Sequence, residues 1–193
     1  MPKVVDHEVR RAELVAATWQ VIAAEGIDRA TVRRVAEAAG CTTGRVTHYF
    51  ASKEDMLAAA LRAVVRTAAA RMTAHLDGPD PRAALGRVMH EALPLDDARR
   101  TEWLVWLAFW GRAAADARLR REQERHYARW RALLGDMLSR LRPDEPAGTR
   151  QAAVDILACG IDGLGLQAVL EPAAFSPRRL ERAIDALITA AAA

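Results

Sequence analysis

Thr31-Val-Arg-Arg-Val-Ala-Glu-Ala-Ala-Gly40-Cys-Thr-Thr-Gly-Arg-Val-Thr-His-Tyr-Phe50 decides the fold of this 193-residue chain. Two short stretches of helical spacing flank Gly40. Thr31 precedes the first and Thr42 the second, each a hydroxyl residue placed where a helix start has amides to satisfy. Gly40 supplies the left-handed backbone that a tight turn requires. Val32, Val35 and Ala36 form the inward face of the first helix, while Val46 and Phe50, four apart, turn inward from the second. Thr43, Arg45, Thr47 and His48 are left on the open side. The pattern reads as a helix-turn-helix, motif 31–50. The same spacing also suits a two-helix corner that merely packs.

The chemistry of the open face is what DNA reading needs. Arginine pairs with both major-groove acceptors of guanine, threonine hydrogen-bonds either base type or sets its methyl on that of thymine, and amides at a helix start suit phosphate. No acidic residue lies between Glu37 and Glu54, so Arg45, His48 and Lys53 occupy a window without internal repulsion. The formal charge of the whole chain, +3, says little by itself; its placement matters. Lys53 opens the next helix, where its ammonium and the free amides can hold one phosphate together.

Outward from this motif the chain reads as helix throughout. Alanine fills 42 positions, serine only Ser52, Ser139 and Ser176, and lysine only Lys3 and Lys53. Prolines at 2, 79, 81, 94, 143, 146, 172 and 177 separate long proline-free runs. The runs predict helices over 7–24, 31–39, 42–50, 52–76, 80–93, 97–115, 116–142, 147–170 and 177–191, and no strand-type alternation occurs. The expected fold is all-α, about nine helices: a three-helix DNA-binding domain over 1–51 and a helical effector-binding and dimerisation domain over 52–193. The longest charge-free stretch, Leu14 to Ala24, falls short of the roughly 20 apolar residues of a membrane span. Asp6 and Glu8 do not suit a secretory leader, so a soluble, cytoplasmic protein is expected. Cys41 and Cys159 lack the pairing of a disulfide framework or zinc site and are expected to pack as small apolar groups. His75, His90 and His126 have no partner at metal-ligand spacing, so neither metal nor cofactor is expected.

The motif and its continuation, Ala51-Ser-Lys-Glu-Asp-Met-Leu57, resemble the N-terminal domain of the TetR family of bacterial regulators. Gly40, Thr42, Gly44, Val46, Tyr49, Phe50, Lys53 and Leu57 match the family pattern in order. The resemblance implies that Thr43, Arg45 and Thr47 face base edges, and that Thr42, Gly44, His48, Tyr49 and Lys53 hold phosphates. Cys41 stands where a branched aliphatic is usual and Thr47 where tyrosine is common, so the operator sequence does not carry over by analogy.

The remaining two thirds must do something other than read DNA. Trp103, Trp106 and Trp110, at i, i+3 and i+7, put three indoles on one helix face, with Leu107 on the same side. They read either as core packing or as the aromatic wall of a ligand cavity open to a cationic guest. Met89 and Gln167 complete the candidate effector-pocket set. Trp103 to Asp116, Arg118-Leu-Arg-Arg-Glu122, Tyr127-Ala-Arg-Trp130 and Asp162-Gly-Leu164 resemble the ligand-binding domain of the branch that includes the choline-responsive repressor BetI. That supports a branch and does not name a ligand.

Late in the chain, Leu157, Ile161 and Leu164 lie on an apolar stripe, with Gly160 and Gly163 in the same helix suggesting close approach of another. Leu180, Ile184 and Leu187 line the final helix. In the TetR family the equivalent helices of two subunits form a four-helix bundle. The resemblance therefore implies a homodimer on a partly palindromic operator, released by a small-molecule effector. A monomer whose stripes are all internal is the other reading. No glycine-rich phosphate loop, serine-histidine-acid set or carboxylate-histidine metal pattern is present, which argues against an enzyme. A helical DNA-binding or interaction protein without an effector is the alternative function.

Overall fold

A computed structural model describes the backbone of residues 2–191 and the side chains of 7–191. Among them are nine helices and no strand: α1 (Pro2–Glu25), α2 (Val32–Ala38), α3 (Thr43–Tyr49), α4 (Lys53–Thr73), α5 (Pro81–Glu91), α6 (Asp97–Ala113), α7 (Ala117–Leu141), α8 (Ala147–Leu170) and α9 (Pro177–Ala191). The predicted boundaries hold to within a few residues, except that α1 begins earlier.

Local chemistry sets the starts. Thr31 Oγ1 accepts from the Arg34 amide at 3.2 Å, and Thr42 Oγ1 from the Arg45 amide at 3.3 Å. Ser52 Oγ caps α4 through the Asp55 amide at 3.1 Å, and the Asp55 carboxylate returns to the Ala51 amide at 3.3 Å, a capping box displaced by one residue. Asp80 caps α5, with Pro81 at its first position. Gly40 has φ +60 at the turn between α2 and α3, and Gly26 has φ +86 after α1.

The described chain divides into two compact units, and not at the expected boundary near residue 52. The first takes residues up to Arg66 and Leu104–Arg120; the second takes Thr67–Trp103 and the chain from Arg121 onward. The reason is packing. Met56, Leu57, Leu61 and Val64 of α4, with Val105, Trp106 and Phe109 of α6, share one core with Leu14, Val21, Val35, Val46 and Phe50. The core of the three-helix motif is thus continuous with apolar side chains supplied by later helices.

The second unit has its own core: Leu85, Val88 and Met89 of α5, Trp130, Leu134 and Leu138 of α7, Val154, Leu157 and Ile161 of α8, and Leu180, Ile184 and Ile188 of α9. Each such side chain contributes about 1.5–3 kcal/mol on burial. Helix α8 reaches a mean hydropathy of 1.6 over an 18-residue window, which by length and composition alone is apolar enough to cross a membrane. Much of that apolarity serves this core. Arg71 ties the end of α4 into the same unit by a two-pronged pair with the buried Glu102 (2.8 and 2.7 Å) and by a contact to Glu91 at 3.2 Å.

Gly165 lies under the Trp103 indole, where an added Cβ would come within 2.0 Å of the ring. Gly111, in α6, has nothing within 4 Å of that position. Urea unfolding of Gly165→Ala is expected to show a loss of about 1–3 kcal/mol from overpacking. Gly111→Ala is expected to gain up to about 1 kcal/mol from helix propensity. Equal effects of the two would contradict the packing described.

Candidate nucleic-acid interface and effector domain

Helix α3 is seven residues long and buries Val46 completely, with the flanking Phe50 at 2% exposure. Everything else on it is displayed by that anchoring. Thr42, Thr43, Gly44, Arg45, Thr47 and His48 are exposed, and Tyr49 is half-buried. All eight predicted DNA-contacting residues thus lie on one short element and its flanks. The Arg45 guanidinium has no partner among the described residues, which leaves its fork available. Lys53 is half-buried and its Nζ donates to the Asp28 carbonyl at 2.9 Å, so one of its three donors is committed within the protein and two remain.

Three acidic groups of this unit are paired with its own arginines. Asp28 pairs with Arg112 at 2.7 Å, and Glu25 and Glu37 pair with Arg34 at 2.6 and 3.4 Å. The Arg34 hydrogen bond holds the Glu25 carboxyl below its ordinary range. One residue was invisible to spacing arguments: His7 of α1 stands 4.5 Å from the Tyr49 ring and 6.0 Å from His48, centroid to centroid, adding a third ring to the exposed corner. Contact between the N-terminal part of α1 and the last turn of α3 follows from tertiary packing alone.

The predicted effector-pocket set is not gathered in one unit. Trp103, at 6% exposure, and Met89, at 0%, lie in the second unit, and Gln167 is half-buried there; Trp106, Leu107 and Trp110 belong to the first. The Trp103 Nε1 donates to the Ala92 carbonyl at 2.8 Å, so this indole is a core anchor with its polar atom satisfied. A surface depression of about 650 Å³ in the second unit is lined by charged residues of α5 and α9, among them Arg82, Arg87, Glu91 and Asp185, with His75 and His90. None of the six expected pocket residues lines it. Among the described residues no group of histidine, cysteine and acidic side chains is placed to hold a metal ion.

The expected interface residues are divided between the chain's own core and its surface. Leu157, Ile161, Leu180 and Ile184 are 0–3% exposed, already filling the core of their own chain. Gly160 makes its close approach to Leu187 of α9 in the same chain, where an added Cβ would lie 2.5 Å from the leucine. Leu164 and Leu187 are half-buried beside that core. Gly163 is exposed with open space around it. The outward side of α8 instead carries Ala152, Ile156, Cys159, Gly163 and Leu170, with Leu166 at its margin. Cys159 is exposed there, not packed inside; Cys41 is half-buried against the first core.

A polar cluster in the second unit was also missed. The Tyr127 hydroxyl of α7 donates to Asp162 Oδ2 of α8 at 2.5 Å. Burial pushes the Asp162 carboxyl up to about 6, and burial and the Asp162 bond push the Tyr127 phenol up. His126 is held down at about 4, first by burial and then by Arg129. The two shifts oppose each other in acid. A raised carboxyl stabilises the fold fully below its unfolded value near 3.8 and loses this as pH rises through 6. A depressed imidazole contributes fully above 6.5 and loses this as pH falls through 4. Each is worth about 2–3 kcal/mol at roughly 1.4 kcal/mol per unit. Between pH 6.5 and 4, Asp162→Asn is therefore expected to lose about 2–3 kcal/mol more stability than the wild type in urea titrations. An identical pH slope for the two proteins would contradict the burial of this carboxyl.

Residues 14–60 match the tetR family of bacterial regulatory proteins, and residues 81–193 match the C-terminal domain of BetI-type transcriptional repressors. A regulator named BetI from Paraburkholderia phymatum is 32% identical over 199 residues, covering all of both chains. One from Stenotrophomonas maltophilia is 35% identical over 185 residues, covering 94% of this chain and 92% of its own. A Rhodococcus transcriptional regulator superposes with a TM-score of 0.85 at 35% identity, over 93% of this chain and 94% of its own. A regulator from Saccharomonospora viridis, solved in complex with choline, gives 0.84 at 25% identity, over 93% and 95%. With its helix-turn-helix and its C-terminal match, this chain belongs to the TetR family of DNA-binding transcriptional regulators, with a BetI-type C-terminal domain, and is not an enzyme.

Proposed function

We propose that this regulator binds a partly palindromic operator as a homodimer, represses from it, and is released by a small organic cation. The observation that carries the DNA-binding half is the acid-free, exposed face of α3, anchored from behind by Val46. Thr43, Arg45 and Thr47 read base edges; Thr42, Gly44, His48, Tyr49 and Lys53 set register on phosphates. The choline held by the Saccharomonospora regulator supports the effector class.

The dimer reading rests on α8. Among the large hydrophobic side chains, Ile156 is 45% exposed and Leu170 64%, and both share one stripe with Cys159 and Gly163. A second copy laid two-fold across this stripe covers it, and the small residues allow close approach. In this arrangement Gly163 is at the interface, flanked by the half-buried Leu164. Leu157, Gly160, Ile161, Leu180, Ile184 and Leu187 support the interface from within each protomer.

Effector action is then a two-state bias. The cation shifts the protein only by its differential affinity for the DNA-binding and released states, and couplings of about 1–3 kcal/mol suffice.

Three outcomes are expected. In fluorescence-anisotropy titrations with operator DNA, Arg45→Ala costs about 1–3 kcal/mol and relaxes preference at one base pair. Lys53→Ala instead weakens all sequences alike and lowers the salt slope by about 1. Wild-type binding by both variants would contradict the assigned face. Light scattering gives twice the 21.1 kDa chain mass, and Ile156→Asp shifts it toward 21.1 kDa; a wild-type monomer at micromolar concentration contradicts the dimer. Choline at saturating concentration lowers operator affinity, and unchanged affinity contradicts this effector class.

A further inference from the structure

The depression on the second unit serves neither DNA reading nor the organic cation. It holds about 650 Å³, the size of a small-molecule site, between one face of α5, the face of α9 beside it and the segment that follows α4. Positions 82, 86 and 90 of α5 lie four apart, with 83, 87 and 91 beside them, so successive turns of one helix face line it. All of its residues belong to the second unit.

Gly86 is central to that face, and packing does not demand a glycine there. A Cβ built on it would meet only Ile188 Cδ1, at the ordinary contact distance of 3.9 Å. Glycine weakens a helix interior relative to alanine, so the fold is less stable for keeping it. What the missing side chain provides is room. Together with Ala83 and Ile188, Gly86 forms a small apolar floor.

The charges around this floor are unequally engaged. Asp80 accepts from the Arg82 and Ala83 amides at 2.9 and 3.1 Å as the cap of α5. Glu91 faces Arg71 at 3.2 Å, Arg99 at 3.4 Å and His75 at 3.9 Å. Of the three carboxylates, only that of Asp185, exposed on α9, has no partner among the described residues. Arg82 donates to Thr189 Oγ1 at 2.8 Å, one turn beyond Asp185. Arg87 is exposed and likewise has no partner among the described residues. A Cβ on Gly78 would stand 3.1 Å from its Nη2, so a second glycine makes room for this guanidinium. His75 and His90 add ring N–H donors to the same depression.

We propose that this depression binds a small multivalent oxyanion, carboxylate or phosphate, at a site distinct from that of the organic cation. The Arg87 fork takes one anionic group, since arginine pairs with carboxylate and phosphate alike. His75 and His90 donate to the guest along the next turns, and the Gly86 floor takes its body. Asp185 is the opposing charge that limits how tightly the guest is held. Neither the choline reading nor the DNA contacts support this inference, and it stands if they fail.

The test is isothermal titration calorimetry of the full-length protein with citrate and with pyrophosphate at fixed ionic strength. Saturable binding of at least one is expected, and the tighter of the two tells carboxylate from phosphate. Arg87→Ala weakens it about tenfold or more, as loss of a charge-assisted donor does. Asp185→Asn tightens it about threefold by removing a like charge. Gly86→Ala weakens it severalfold while raising the ligand-free melting temperature by about 2–4 °C, because the alanine favours the helix and fills the floor. In NMR spectra of the histidine rings, the His75 and His90 signals move on titration and those of His7 and His48 stay, which separates this site from the DNA-reading face. Absence of saturable binding by either anion overturns the proposal. So does wild-type affinity in Arg87→Ala or Gly86→Ala, or movement of the His48 signal in place of His75 and His90. Weaker binding in Asp185→Asn also overturns it, since that marks a dipolar guest.

Discussion

The burial of Val46 and Phe50 is the constraint on which the rest of the structure depends. A seven-residue helix has too few internal hydrogen bonds to be stable alone, so α3 exists because its apolar side is held by the first core and its start is capped by Thr42. Holding that side fixes what faces outward. The open side is then free of acid because the sequence is free of acid from Ala38 to Lys53, and because Asp28, Glu25 and Glu37 are each matched by an arginine of the same unit. The core that supports α3 is larger than the motif. Leu57, Leu61 and Val64 of α4, and Trp106 and Phe109 of α6, complete it, so residues far along the chain support the face that α3 exposes.

The second unit answers a different problem, placing polar groups in an alanine- and leucine-rich interior. Most are satisfied. Glu102 is buried and gripped by Arg71, the Trp103 indole reaches the Ala92 carbonyl, and Arg100 donates to the carbonyls of Ala168 and Val169. Against that background an inward glutamine with nothing to bond stands out, as does a carboxyl lifted to about 6 beside a tyrosine. Features that weaken a fold and persist are where function is sought. Here they fall in the stretch that matches the C-terminal domain of BetI-type repressors.

Much of this was legible in the sequence wherever the determinant was local. Gly40, Thr31, Thr42 and Ser52 act on their immediate neighbours, and Pro146 and Pro177 mark the starts of α8 and α9, so helix positions followed from punctuation. Side-chain direction on α3 followed from Val46 and Phe50. What did not follow depended on partners distant in sequence. Helix α8 is apolar around most of its circumference, so periodicity could not say that Leu157 and Ile161 face inward while Ile156 and Leu170 face out. The tryptophan stripe of α6 reads as one face, yet Trp103 and Trp106 belong to different compact units. His7, Gln123 and the Tyr127–Asp162 bond carry no signature, because each acquires meaning only from the helix it meets.

If α3 is presented twice by a symmetric dimer, the protein reads a two-fold symmetric sequence. The most direct measurement is selection of bound duplexes from a random pool by the purified protein, followed by sequencing. The expected result is enrichment of an inverted repeat whose half-sites lie about one helical turn, or a multiple of it, apart. Enrichment of an unsymmetrical site, or none above the input pool, would contradict it.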